Sequence, residues 1–153
     1  MLSRSIKKEV HLEQILAQDL KSVLADPSQV VQVLLNLGVN ANDAITGTGS
    51  ITYTSIMHQE EKTSDLLNAG EYVCVRVKDT GSGIPQSIIN QIFEPFFTTK
   101  EIGKGTGLGL SLVHGIMRNH QGAVRVQSEE NKGTTFSVYF PVTTNVPTVS
   151  NKR

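Results

Sequence analysis

The spacing of apolar residues predicts most of the elements. Val10 and Leu12 alternate with polar neighbours over 9–17 and predict a strand, and Val23 to Ala25 predicts a second, short one. Asp26-Pro27 then opens a helix. An aspartate can accept bonds from the free N–H groups of a first turn, and proline suits the first helical position. Val30, Val31, Leu34, Leu37 and Ala41 follow at spacings of three and four, the stripe runs through Ala44 and Ile45, and Gly47 is expected to close it. Ile51, Tyr53, Ser55 and Met57 alternate over a strand at 50–58, and the polar stretch 59–70 reads as a loop. Val73, Val75 and Val77 place a strand at 71–78. A short helix is expected after Pro85, carrying Ile88, Ile89 and Ile92. Helical spacing returns at 107–119 with Leu108, Leu112, Val113, Ile116 and Met117. Strands at 123–128 and 134–140 then flank a turn at Asn131 to Gly133.

Strands paired as hairpins, with helices gathered on one face, predict an α/β (α+β) two-layer sandwich. The sheet is expected to be mixed, mainly antiparallel, with about five strands packed on about three helices. The order does not alternate as a parallel doubly wound sheet would, and no repeat suggests a solenoid. Composition narrows the function classes. Lys plus Arg equals Asp plus Glu at 14 each, so no broad attraction to nucleic acid or to an anionic membrane is expected. The single cysteine, Cys74, excludes an internal disulfide and a multi-cysteine zinc site. No apolar run approaches the roughly 18 residues of a membrane span. The start, MLSRSIKKEV, has no apolar signal core. A cytoplasmic domain is the expectation.

Glycine is unevenly placed. Six of the 13 lie in two clusters, Gly81/Gly83 and Gly103/Gly105/Gly107/Gly109, the second opening a helix. Free N–H groups and the helix dipole both favour anions at such a place, which points to phosphate. The common phosphate schemes nevertheless fail. A GxxxxGK[ST] loop built on Gly103-Lys104 needs glycine at 98 and a hydroxyl at 105, where Thr98 and Gly105 stand. A GxGxxG fingerprint needs glycine at 86 or 108, where Gln86 and Leu108 stand, and the protein-kinase glycine loop fails in the same way.

A different set remains, and it resembles the ATP-binding domain of sensor histidine kinases. That domain belongs to the superfamily shared with gyrase, the Hsp90 chaperone and MutL, whose Bergerat-type fold is the sandwich expected above. NLGVNANDA at 36–44 resembles the N box, DTGSGIP at 79–85 the G1 box and IFEPFFTTK at 92–100 the F box. GKGTGLGL at 103–110 resembles the G2 box, and NKGTTFSVYFP at 131–141 the terminal strand. The five stand in the family's order, and the resemblance covers about residues 20–141.

The resemblance implies roles. Asn36 and Asn40, four apart, share a helix face. The family places Asn40 on Mg²⁺ through its side-chain oxygen, with Asn36 lining the same site. The bland alternative is that both amides cap or face solvent. Hydrolysing relatives usually carry glutamate where Asn36 stands. An amide cannot take a proton at neutral pH, which favours phosphotransfer over hydrolysis. Asp43 stands where many relatives have a basic residue, so it is either a phosphate neighbour or a solvated side chain. The Asp79 carboxylate is implied to accept the adenine amino hydrogen, while Gly81 and Gly83 let the backbone approach the base and Ile84 packs on it. Residues 94–107 would be a lid. Gly103, Gly105, Thr106, Gly107, Leu108, Gly109 and Leu110 would offer N–H groups to the triphosphate. Lys100 and Lys104 are either phosphate partners or solvated charges. Thr134 resembles the threonine that supports the adenine pocket through water. Phe93, Phe96 and Phe97 read as core and lid anchors.

The expectation is therefore the catalytic half of a protein histidine kinase, with ATP and Mg²⁺ as cofactors and Asn36, Asn40 and Lys100 as catalytic residues. In this family the phosphate-accepting histidine usually precedes an acidic residue. His11, His58, His114 and His120 precede Leu12, Gln59, Gly115 and Gln121, so the acceptor is expected on a separate dimerisation and histidine phosphotransfer domain. Residues 1–19 would link to it, 20–141 would be the catalytic domain, and 142–153 a tail or linker. A response-regulator receiver domain would be an indirect partner, with no nucleic acid and no direct membrane contact. A hydrolytic clamp and a module that has lost nucleotide binding are the rivals.

Overall fold

The computed structural model describes residues 9–97 and 109–143. Their order is β1 (Val10–Leu16), α1 (Pro27–Ala44), β2 (Gly49–Glu60), β3 (Gly70–Asp79), a 3-10 turn (Ile89–Gln91), α2 (Gly109–Asn119), β4 (Ala123–Glu129) and β5 (Gly133–Pro141). The five strands form one sheet in the order β1-β2-β3-β5-β4. β1 runs parallel to β2, and the other pairs are antiparallel.

One face of the sheet carries the helices. Leu37 and Val33 of α1 and Val113 and Met117 of α2 are fully buried against Ile51, Val77 and Val138. Period two in the strands thus meets period 3.6 in the helices, giving the expected two-layer sandwich. The outer face has a smaller cluster, in which Tyr72, Cys74, Ala123 and Tyr139 pack under Leu67 of the 61–69 loop. Arg125 lies over the Tyr139 ring, 5.2 Å from its centroid.

α1 starts where its cap chemistry places it. Oδ1 of Asp26 accepts from the Ser28 N–H at 2.9 Å and from its hydroxyl at 2.8 Å. The helix stops at Ala44 rather than Gly47, because Ile45 is already extended and its side chain turns into the core. Gly47 instead sits at φ 79 in the following turn. The short strand expected at 23–25 is a single bridge, Val23 to Val142.

The expectation of about three helices is corrected to two α-helices among the described residues. The segment after Pro85 that carries Ile88, Ile89 and Ile92 forms only the 3-10 turn, and Pro95 disfavours helix at the residue before it. His120 belongs to the scaffold. Its Nδ1 lies 2.9 Å from the Ile116 carbonyl, and its Nε2 accepts from the Asp26 N–H at 3.1 Å, tying the end of α2 to the start of α1.

Candidate functional site

A cleft of about 670 Å³ opens between α1, the chain after β3, the first turn of α2 and the β4–β5 hairpin. Asp79 of β3 and Thr134 of β5, paired in the sheet, form its floor, and Thr134 pairs in turn with Ser128 of β4 beside the cleft. Asp79 is 3% exposed, and its Oδ1 accepts from the Gly81 N–H at 2.8 Å. Burial pushes the Asp79 carboxyl above its ordinary 3.8, against the pull of the Gly81 and Thr134 backbone N–H groups.

The chain just after Asp79 is fixed by close contacts. The Thr80 hydroxyl accepts from the Ser50 N–H at 2.9 Å, and the Ser82 N–H donates to the Ala44 carbonyl at 2.9 Å. A Cβ on Gly81 would come within 2.5 Å of the Ala44 carbonyl oxygen. Gly83 holds φ 75, and a Cβ there would overlap the Glu129 carbonyl. Glycine at both positions lets the loop press on α1 and on the hairpin.

α1 supplies the opposite wall. Asn36, Asn40 and Asp43, at helical spacings of four and three, all line the cleft. The Asn36 amide also donates to the Gly109 carbonyl at 3.4 Å, joining α1 to the first described turn of α2. The apolar lining comes from Ile84, Ile88, Ile92, Phe97 and Phe136.

Most of the expected site residues therefore face one cleft. Asn36, Asn40, Asp43, Asp79, Gly83, Ile84, Gly109, Leu110 and Thr134 line it, and Gly81 lies buried beside Asp79. Lys100, Gly103, Lys104, Gly105, Thr106, Gly107 and Leu108 lie outside the described residues. The phenylalanines divide. Phe97 lines the cleft and Phe93 stacks edge-on against Phe136, but Phe96 is 73% exposed at φ 67 and anchors nothing in the core.

Val39, Ser82, Glu130 and Asn131 are lining residues missed from sequence. Val39 points into the cleft from α1, and Ser82 and Asn131 meet at its rim, where the Asn131 N–H donates to the Ser82 carbonyl at 2.6 Å. Ser128 was missed as well, although the expected turn at Asn131 to Gly133 already put it near Thr134 in the hairpin.

The donor set is of the kind Mg²⁺ takes. The Asn40 amide oxygen and the Asp43 carboxylate are hard oxygens on one wall, and among the described residues no group of three or more His, Cys, Asp or Glu could hold a metal alone.

Comparison with known proteins gives a consistent result. The family profile described as "Histidine kinase-, DNA gyrase B-, and HSP90-like ATPase" matches residues 25–144. The sensor kinase CckA of Brucella abortus is 44% identical over 145 residues, which are 92% of this chain and 15% of that protein. The catalytic domain of the histidine kinase ThkA, in a nucleotide-free form, superposes with a TM-score of 0.68 at 32% identity, covering 92% of this chain and 83% of that one. Full-length ShkA in complex with AMPPNP gives a TM-score of 0.68 at 30% identity, covering 86% of this chain and 25% of that one.

Proposed function

The chain belongs to the histidine kinase-, DNA gyrase B- and HSP90-like ATPase family, and from that premise we propose that it is the ATP-binding catalytic domain of a two-component sensor histidine kinase. It spans 15% of the length of CckA. The acceptor histidine, the dimer and any receiver domain belong to the larger assembly this reading implies. The observation that carries the proposal is the convergence on one cleft of a buried carboxylate, Asp79, and an amide-bearing helix face, Asn36 and Asn40.

Each part has a physical role in binding Mg·ATP. The Asp79 carboxylate accepts the adenine 6-amino hydrogen, a charge-assisted bond in a site sheltered from water. Guanine would bring a carbonyl oxygen to the same place and be repelled. Ile84, Ile88 and Phe136 give the base an apolar slot, and Asn40 offers its oxygen to the metal. Mg²⁺, when bound, neutralises phosphate charge. Gly109 and Leu110, in the first described turn of α2, line the cleft, and the free N–H groups of a helix start favour phosphates.

Transfer rather than hydrolysis follows from Asn36, whose amide cannot serve as general base for water. The γ-phosphate is then kept for a histidine on the phosphotransfer domain, by catalysis that is mostly positioning and charge stabilisation. The working place of such a domain is the cytoplasm, and among the described residues no helix is long and apolar enough to cross a membrane.

The test mixes this chain, γ-labelled ATP and a purified histidine-bearing helical hairpin. Acid-labile phosphate on the hairpin is the expected result. Steady release of free phosphate by the chain alone, with none on the hairpin, would instead identify a hydrolytic clamp.

A further inference from the structure

Ser128 has no place in the nucleotide reading above, yet its hydroxyl joins three elements that form the base end of the cleft. Ser128 Oγ accepts from the Ile84 N–H at 2.7 Å, lies 3.0 Å from the Gly133 carbonyl and lies 2.8 Å from the Thr134 hydroxyl. A serine hydroxyl holds one proton and two lone pairs. The Gly133 carbonyl can only accept, so the Ser128 proton goes there. One lone pair takes the Ile84 N–H, and the other takes the Thr134 proton. All three contacts are satisfied only by this arrangement.

The consequence falls on Thr134, which is 5% exposed and lines the cleft next to Asp79 in the sheet row. With its proton committed to Ser128, the Thr134 hydroxyl offers the cleft lone pairs only. Asp79 likewise offers only acceptor oxygens. We propose that Ser128 is a specificity-determining positioning residue, which orients the Thr134 hydroxyl as an acceptor and pins Ile84 against the sheet, so that this end of the cleft selects a base with a donor at its 6-position. Adenine carries its 6-amino group there and guanine carries a carbonyl oxygen. The inference rests on the adenine reading given above.

Replacing Ser128 removes the acceptor for the Thr134 proton. The Thr134 hydroxyl can then turn and donate into the cleft, where it accommodates the guanine carbonyl. The Ile84 N–H loses its partner at the same time, so the loop loosens.

The experiment measures the affinities of ATP and GTP by calorimetry for the wild type, Ser128→Ala, Ser128→Cys, Ser128→Thr, Thr134→Val and the double variant Ser128→Ala/Thr134→Val. The ATP-to-GTP affinity ratio is expected to fall about tenfold in Ser128→Ala, the loss of one modest hydrogen-bond preference. Ser128→Cys, which keeps the shape with a weak hydrogen-bonding group, is expected to lower the ratio in the same direction should the alanine variant fold poorly. Ser128→Thr keeps the hydroxyl and is expected to restore the ratio. In the Thr134→Val background, Ser128→Ala is expected to leave the ratio unmoved, because Ser128 acts through Thr134. An unchanged ratio in both Ser128→Ala and Ser128→Cys, with only weaker binding or lower thermal stability, would make Ser128 a structural residue and overturn the proposal. A wild type that binds neither nucleotide would overturn the adenine reading itself.

Discussion

Asp79 ends a valine-rich strand at a buried position, and its carboxyl is pushed above 3.8 by that burial. A carboxyl whose folded pKa is raised gives stability that is fully present below the unfolded value and is lost as pH rises through the folded one. At neutral pH its charge therefore works against folding and is retained for binding. Asp79→Asn is expected to melt at or above the wild-type temperature at neutral pH in the absence of nucleotide. Its ATP affinity is expected to fall by about 10- to 100-fold, the worth of a charge-assisted bond of roughly 1.5–3 kcal/mol. Calorimetry beside thermal melts checks both, and a joint loss would make Asp79 a structural residue. Wild-type affinity for ATP is likewise expected to weaken as pH drops through the raised Asp79 pKa, since protonation removes the charged acceptor. Asp79, Asn36 and Asn40 were legible in the sequence because they stand in segments that resemble the family's N and G1 boxes. Ser128 and Ser82 were not, because a serine in a hairpin or a turn looks ordinary until its partners are known.

Elements position these residues, and their packing decides how firmly. α1 holds its amides over Asp79 because Leu37, between Asn36 and Asn40, is fully buried against the sheet. Leu37→Ala is expected to cost about 2–5 kcal/mol of stability, read from denaturant unfolding, and to weaken nucleotide binding through the displaced helix. The loop after β3 is set by backbone contact. Gly83→Ala would place a Cβ on the Glu129 carbonyl at a φ of 75, so it is expected to lower the melting temperature and the nucleotide affinity together, unlike Asp79→Asn. Periodicity revealed both helices and the strands of the sheet, since each buries one regular face. It overreached after Pro85, where three isoleucines imitate a helical stripe over a segment that folds only into a 3-10 turn. The end of α1 was misplaced by three residues for a related reason: Ile45 continues the apolar stripe into the core after the backbone has left the helix.

At the scale of the whole molecule, the mixed sheet brings three sequence-distant segments to one end of the sandwich, and the parallel β1 closes the far edge. The parallel β1–β2 pairing was not legible, because a strand's own pattern does not state its neighbour or its direction. With Asn36 in place of a basic carboxylate, the chain alone is expected to release phosphate from ATP slowly, as followed by a phosphate-release assay. Turnover of the order of about 1 s⁻¹ or faster would contradict the phosphotransfer reading. The central claim concerns where the nucleotide sits, and the direct measurement is a crystal structure of the chain with an ATP analogue and Mg²⁺. The account predicts the adenine amino group on the Asp79 carboxylate and the metal on the Asn40 side-chain oxygen. A base bound elsewhere, or a metal held without Asn40, would contradict it.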